Sequence, residues 1–206
     1  MSENKQDTEE QIFEAASRVF QRKGYAGARM QEIADEADIN KSMLHYYYRS
    51  KDKLFQKVYQ REVSRFFPVI FKVLGSERPL DEKLEHLIDT YYAFLDENPR
   101  IAQFIIHEMS QHPERFRKFI REKGIQPPER FSRQISEEID RGRMKKVDPR
   151  QLLISIVGLI LFPFVARTMV ELLFDLDEEQ FLDFLNERKA FLVDFILNGI
   201  NYKGHE

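Results

Sequence analysis

Lys41, Ser42, His45 and Tyr46 are the side chains of this sequence whose types and spacing point most clearly to chemistry. At helical spacing they lie on the side opposite Leu44 and Tyr48, which are four residues apart and read as inward-facing. An ammonium, a hydroxyl, an imidazole and a phenol presented from one short helix offer donors and acceptors. They do not form an ordered nucleophile–base pair. Such a helix is suited to hydrogen-bonding base edges in a DNA major groove, which is wide enough to admit it.

The neighbouring residues are suited to hold that helix in place. Ile33, Ala34 and Ala37 give a preceding helix a small apolar face. Asp38-Ile39-Asn40 then interrupts the pattern, because Asp and Asn tolerate turn and capping conformations. Asn40 can cap the helix from Lys41 to about Tyr48, and Ser50 can cap the next one. Upstream, Thr8-Glu9-Glu10-Gln11 resembles a capping box. It opens a helix whose inner face is Ile12, Phe13, Ala16, Val19 and Phe20, with Gly24 closing it and Tyr25 following. The whole reads as a helix-turn-helix.

The runs AASRVFQRKGY and QEIADEADINKSMLHYYYRSKDKLF together resemble the TetR family of bacterial transcriptional regulators, over roughly the first quarter of the chain. Two departures stand out. Ala28-Arg29 occupies a place where many relatives carry Thr or Ser, and Asp38 replaces the usual turn glycine. The resemblance implies that Lys41, Ser42, Met43, His45 and Tyr46 approach base edges while Arg29, Tyr47 and Lys51 hold phosphates. It also implies a DNA-binding domain at residues 1–50, followed by a ligand-sensing and dimerisation domain at 51–206. The expected fold is all-α with about nine helices, and the fourth helix passes continuously from one domain into the other. The expected function is a ligand-responsive, homodimeric regulator of transcription that releases operator DNA when a small effector binds, as a repressor does.

Charge supports the DNA reading once it is resolved along the chain. The net charge is −3, but residues 41–65 carry seven Lys/Arg against Asp52 and Glu62. Positive charge is thus concentrated where phosphates would be met. The absence of cysteine excludes a disulfide framework and suits a reducing cytoplasm. The polar start MSENKQDTEE has no apolar signal stretch, so a cytoplasmic location is expected.

After residue 65 the periodicity predicts helix after helix, over about 80–95, 99–110, 113–122, 128–141, 149–174 and 178–200. Leu152 to Phe174 approaches the ~20 apolar residues of a membrane span. Arg167 and Glu171 interrupt it, however, and a helix apolar nearly all round reads better as one buried between a core and a partner. The last two helices are therefore expected to form the dimer interface as a four-helix bundle, through Ile156, Leu159, Ile160, Phe184, Phe191 and Phe195. The resemblance implies the same arrangement.

Aromatic residues crowd the C-terminal helices, and the chain holds 18 Phe with no Trp. Large rings pack with gaps, and the family resemblance makes such gaps a sensor pocket. The expected ligand set is Phe67, Phe71, Tyr91, Phe104, His107, Phe131 and Phe162, for a small, mostly apolar effector. His86, His107, Glu108 and Arg167 are candidates to orient it. His107 and His112 lack an adjacent third ligand, so neither a metal nor a cofactor is expected. No Gly-rich phosphate loop, nucleophile elbow or paired carboxylate set supports an enzyme. A helix-turn-helix that binds protein is the other alternative, and a salt-dependence measurement on duplex DNA separates it.

Overall fold

The computed structural model describes residues 2–203, and among these the backbone forms eleven helices and no strand. They are α1 (Ser2–Gly27), α2 (Met30–Glu36), α3 (Lys41–Tyr47), α4 (Lys51–Leu74), α5 (Leu80–Glu97), α6 (Ile101–Gln111), α7 (Pro113–Lys123), α8 (Glu129–Asp140), α9 (Pro149–Val165), α10 (Arg167–Phe174) and α11 (Glu178–Gly199). Packing divides them into two compact units. One contains residues up to 66 together with 103–123, and the other contains 67–102 together with 124–206. The single helix α4 contributes residues to both.

In the first unit, Ile12, Ala15, Ala16, Val19 and Phe20 of α1 are fully buried, as are Ile33, Leu44, Leu54, Phe55 and Val58. The rings of Phe20 and Phe55 meet edge-on at 4.9 Å. Ser17 donates a buried 2.7 Å hydrogen bond to Glu62, tying α1 to α4. Gly24 kinks α1 at φ +66°, a conformation open to glycine because it has no Cβ. Asp38 takes the left-handed conformation at φ 49° and ends α2 as a glycine would. The Ile39 N–H bonds back to Ala34 O at 3.0 Å, and the Asp38 N–H bonds to Asp35 O at 3.2 Å.

In the second unit, α5 buries Leu84, Leu87, Ile88, Tyr91 and Leu95, and it packs on α9 and α11. Lys83 of α5 is also fully buried. Its ammonium donates to Leu74 O at 3.1 Å, Ser76 O at 3.0 Å and Gln134 Oε1 at 2.5 Å. A cation there satisfies carbonyls at the C-terminal end of α4 and lies at the negative end of that helix dipole. Arg130 of α8 reaches the same loop, bonding Ser76 O at 2.9 Å.

The single long helix expected over 149–174 is instead two, α9 and α10, bent by 72° at their break. Pro163 lies in the last turn of α9, three residues before the break. It lacks an N–H, so the carbonyl of Leu159, four residues earlier, loses its helical donor. Arg188 of α11 supplies a replacement at 3.2 Å. Ala166 then leaves helical geometry, at φ −103° and ψ 26°. About nine helices are expected, although the periodic stretches number ten, and this break adds one more, giving eleven among the described residues. Among the described residues no single helix is long and apolar enough to cross a membrane; only the bent pair α9–α10 reaches that length and composition.

Candidate nucleic-acid interface

The helix α3 is set in place by its caps and by two inward anchors. Asn40 Oδ1 accepts the Met43 N–H at 2.7 Å, so the first turn is fixed. Leu44 is fully buried. Tyr48, just past the helix end, is 3 % exposed and lies edge-on to Phe13 at 6.2 Å, with its hydroxyl 3.1 Å from Glu9. With these two pointing inward, Lys41, Ser42, Met43, His45 and Tyr46 are left exposed, Tyr46 the most at 75 %. Tyr47 is half-buried, with its ring edge-on to that of Tyr46 at 5.5 Å.

Ion pairs narrow the positive region that the residue counts suggested. Arg18, Arg22 and Lys23 of α1 pair with Glu32 and Glu36 of α2. On α4, Arg61 forms a close two-pronged pair with Glu10, Lys57 stands 3.8 Å from Glu9, and Arg65 stands 3.8 Å from Glu62. Lys57, Arg61 and Arg65, further along α4, thus face acids of their own unit. Among the described residues, Arg29, Lys41, Arg49 and Lys53 have no acidic partner. Near α3 in the chain, these four are available to a polyanion.

Lys51 has a second task. Its ammonium donates to Tyr25 O at 2.8 Å and Ala28 O at 3.0 Å, and it lies 4.5 Å from the centre of the Tyr25 ring. Those bonds pin the α1–α2 corner, which carries exposed Arg29, to the first turn of α4. Ser50 caps that turn by accepting the Lys53 N–H at 3.3 Å. A half-buried Lys51 retains one donor for a phosphate.

Arg115 of α7 also touches this frame, and nothing in the local sequence signalled it. Its guanidinium bonds Asp52 at 3.1 Å and lies 5.7 Å from the centres of both the Tyr25 and Phe55 rings. The pairing joins residues 63 positions apart. Lys53, likewise outside the expected set, could be found by asking which basic residues have no acid at helical spacing, whereas Arg49 has Asp52 three residues on and is left unpaired because Asp52 is held by Arg115.

The residues expected to bind an effector fall into both units. Phe104 and His107 belong to the first, where Phe104 is 5 % exposed and packs on Phe55 at 5.9 Å and Tyr59 at 6.0 Å, while His107 is exposed. Phe67, Phe71, Tyr91, Phe131 and Phe162 belong to the second. Phe67 and Phe71 lie together at 6.1 Å, Tyr91 and Phe131 are buried, and Phe162 points outward. Of the orienting candidates, His86 is exposed, Glu108 is buried and Arg167 is paired with Glu171 at 2.6 Å. His112 stands 3.6 Å from Glu114, and among the described residues no three His, Asp or Glu cluster as metal ligands do.

Of the residues expected between subunits, Phe191 and Phe195 are exposed and stacked at 5.6 Å, and Leu159 and Phe184 are half-exposed. Ile156 and Ile160 are instead buried by their own chain, because the α9 face carrying them turns toward the core of the second unit. Exposed Ile154 and Phe162 take their place on the outer face of α9. On α10, Met169, Leu172, Leu173 and Phe174 are exposed as well.

The comparisons with known proteins agree with this geometry. Residues 12–58 match the family described as bacterial regulatory proteins, tetR family, and residues 81–196 match the tetracyclin repressor-like C-terminal domain. The chain belongs to the tetR family of bacterial transcriptional regulators and, as such, is not an enzyme. It is 31 % identical over 101 residues to an HTH-type transcriptional regulator of Haemophilus influenzae, covering 49 % of this chain and 54 % of that one. It is 31 % identical over 86 residues to the transcriptional activator FasR of Mycolicibacterium smegmatis, covering 42 % and 39 %. The chain thus matches about half or less of the length of these relatives. A TetR-like regulator from Rhodococcus sp. RHA1 shares the fold, with a TM-score of 0.63 at 23 % identity over 93 % of this chain and 96 % of that one.

Proposed function

We propose that the protein binds operator DNA as a homodimer and lets go when a small apolar effector binds, acting in the cytoplasm as a repressor. The observation that carries the DNA part is α3. Five exposed polar or adaptable side chains stand on a capped helix, and Arg29, Lys41, Arg49 and Lys53 around it have no acidic partner. In this reading Lys41, Ser42, Met43, His45 and Tyr46 read bases, while Arg29, Tyr47, Lys51 and the two added cations hold phosphates. Residues 1–50, together with the first turn of α4, carry this task.

The dimer reading rests on the outer apolar faces of α9 and α11, where Ile154, Phe162, Phe191 and Phe195 are uncovered. Exposed apolar surface of this extent is what a partner subunit covers. The effector reading rests on the aromatic groups Phe67, Phe71, Tyr91 and Phe131 of the second unit. An effector there would act on α4, which runs from the residue after the Ser50 cap to Leu74, and so alter the spacing of two recognition helices that must lie ~34–36 Å apart. A coupling of ~1–3 kcal/mol suffices for such release. The experiment is a binding titration of duplex DNA selected from a random pool, repeated at increasing salt. Steep weakening with salt and a preference for selected over random duplex support the reading; binding that ignores salt defeats it.

A further inference from the structure

Asp52 is the only acidic residue between Asp38 and Glu62, a stretch that carries Lys41, Arg49, Lys51, Lys53, Lys57 and Arg61. The first turn of α4 favours an acid, because a helix N-terminus carries positive partial charge. The same position sets a negative charge among the cations assigned to phosphate: Arg49 stands three residues before it, and Lys51 and Lys53 stand on either side. A free carboxylate so placed would pair with one of these cations or repel a phosphate, since exposed charges act on each other over ~10 Å at 0.1 M salt.

Both oxygens of that carboxylate are held elsewhere. Arg115 Nη2 donates to Oδ1 at 3.1 Å, and Gln56 Nε2 donates to Oδ2 at 2.8 Å. Arg115 comes from α7, 63 residues away, and its guanidinium lies 5.7 Å from the centres of both the Tyr25 and Phe55 rings. Cation–π contact with those rings helps to fix it. The pair is partly exposed, with 43 % of the Asp52 side chain and 26 % of the Arg115 side chain accessible. Pairs of this kind contribute little to stability. The effect on local charge is larger, because Arg49 and Lys53 are left without an acidic partner.

We propose that Arg115 is a positioning residue for DNA binding: it engages Asp52 and so keeps Arg49 and Lys53 free for phosphates. It acts through Asp52 and needs no contact with DNA. Without it the carboxylate becomes a competitor for Arg49, and each subunit loses about one phosphate contact. The proposal rests on the DNA-binding reading given under Proposed function. Removing Arg115 also takes a cation from beside Glu108, which is 4 % exposed and whose carboxyl burial raises against the pull of His112, His107 and Arg115. Any consequence of that loss is independent of Asp52. Only the charge effect is reversed by a change at Asp52.

The test is a double-mutant cycle on the full chain, read as affinity for a selected duplex and for a random duplex of equal length across a range of salt. Arg115→Gln should weaken both duplexes alike, by about tenfold or more at about 0.1 M salt, and lower the dimer's salt slope by about two. Asp52→Asn alone should change affinity less than about threefold, and Arg115→Gln added to it should cost less than about threefold. Gln56→Ala, at an exposed position, loosens the same carboxylate and keeps the test usable if Arg115→Gln unfolds. It should weaken both duplexes about twofold or more, and Asp52→Asn should remove that loss. Arg115→Gln losses that are as large in the Asp52→Asn background as in the wild type would overturn the proposal. So would a loss confined to the selected duplex, or an Asp52→Asn chain that binds about tenfold tighter, which would mean that Asp52 already opposes DNA. A wild type without salt-dependent binding defeats the DNA reading itself, whereas wild-type binding with an additive cycle defeats this inference alone.

Discussion

The outward face of α3 and the outer faces of α9 to α11 are both unsatisfied by the chain that carries them, but for opposite reasons. Around α3 the unsatisfied quantity is charge and hydrogen-bonding capacity. In the first unit Glu10, Glu32 and Glu36 are held by Arg18, Arg22, Lys23 and Arg61, while Arg29, Lys41, Arg49 and Lys53 have no acidic partner. On α9 to α11 the unsatisfied quantity is apolar area: Ile154, Leu172 and Phe191 are 70 %, 79 % and 56 % exposed. The first face matches a polyanion whose binding salt weakens. The second matches a partner that excludes water, for which salt matters little. One chain thus displays two kinds of incompleteness, and each kind indicates its own complement.

The sharpest way to break this comparison is to damage the interior on which the apolar faces rest. Lys83→Met removes three hydrogen bonds made by a buried ammonium and strands the carbonyls of Leu74 and Ser76. A loss of ~3 kcal/mol is expected in chemical denaturation, since hydrogen bonds to charged groups contribute ~1.5–3 kcal/mol each and apolar packing returns part. A loss below ~1 kcal/mol would mean that the clamp is incidental.

Phe191→Glu with Phe195→Glu addresses the apolar face directly. Two charges placed in a covered interface should weaken self-association by ~3 kcal/mol or more, without unfolding a chain in which both side chains are already exposed. Sedimentation velocity at micromolar concentration should show a dimer turning into a monomer. A wild-type chain that already sediments as a monomer would remove the proposed interface.

On the polar face the expected effects are smaller and divide by role. His45→Ala should cost ~1–3 kcal/mol per subunit on the preferred duplex and change sequence preference, whereas Lys53→Ala should weaken all duplexes alike and lower the dimer's salt slope by about two, one for each subunit. Equal losses on preferred and random duplexes for both variants would dissolve that division.

The smallest effect concerns the cap of α9. The Arg150 side chain, followed by its backbone N–H, holds the Asp148 carboxyl down from 3.8 to about 2. The folded chain therefore binds this proton less readily than the unfolded chain. The cap's contribution should be complete above about pH 4 and lost as pH falls toward 2. An Asp148→Asn chain, whose amide oxygen still accepts the Arg150 N–H, should lose that acid-dependent part alone in melts across this window.

Much of this architecture was legible in the sequence because it is written in local spacing. Leu44 and Tyr48, four apart, both turn inward, and Asp38 takes the left-handed turn that its side chain tolerates. The all-α fold and the family followed from the same kind of signal. What escaped depends on groups far apart in the chain. The helix expected over 149–174 breaks at Ala166, and the Leu159 carbonyl that Pro163 leaves without a helical donor is bonded by Arg188 of another helix. Ile156 and Ile160 share the apolar character of Ile154 and Phe162, and only the packing of α5 and α11 against α9 decides which of them turns inward. The position of Arg115 against Asp52 and the burial of Lys83 likewise depend on tertiary neighbours.

The most direct test of the central claim is the affinity of the full chain for a selected duplex and for a random duplex of equal length, each measured between 50 and 200 mM salt. With about four phosphates neutralised in each subunit by Arg29, Lys41, Arg49 and Lys53, about eight per dimer, affinity should fall about ten-thousandfold over that range on both duplexes. The selected duplex should remain the tighter at every salt concentration, and that preference should shrink in His45→Ala. Affinity that stays flat with salt, or a preference that His45→Ala leaves intact, would contradict the assignment of α3 to the DNA groove.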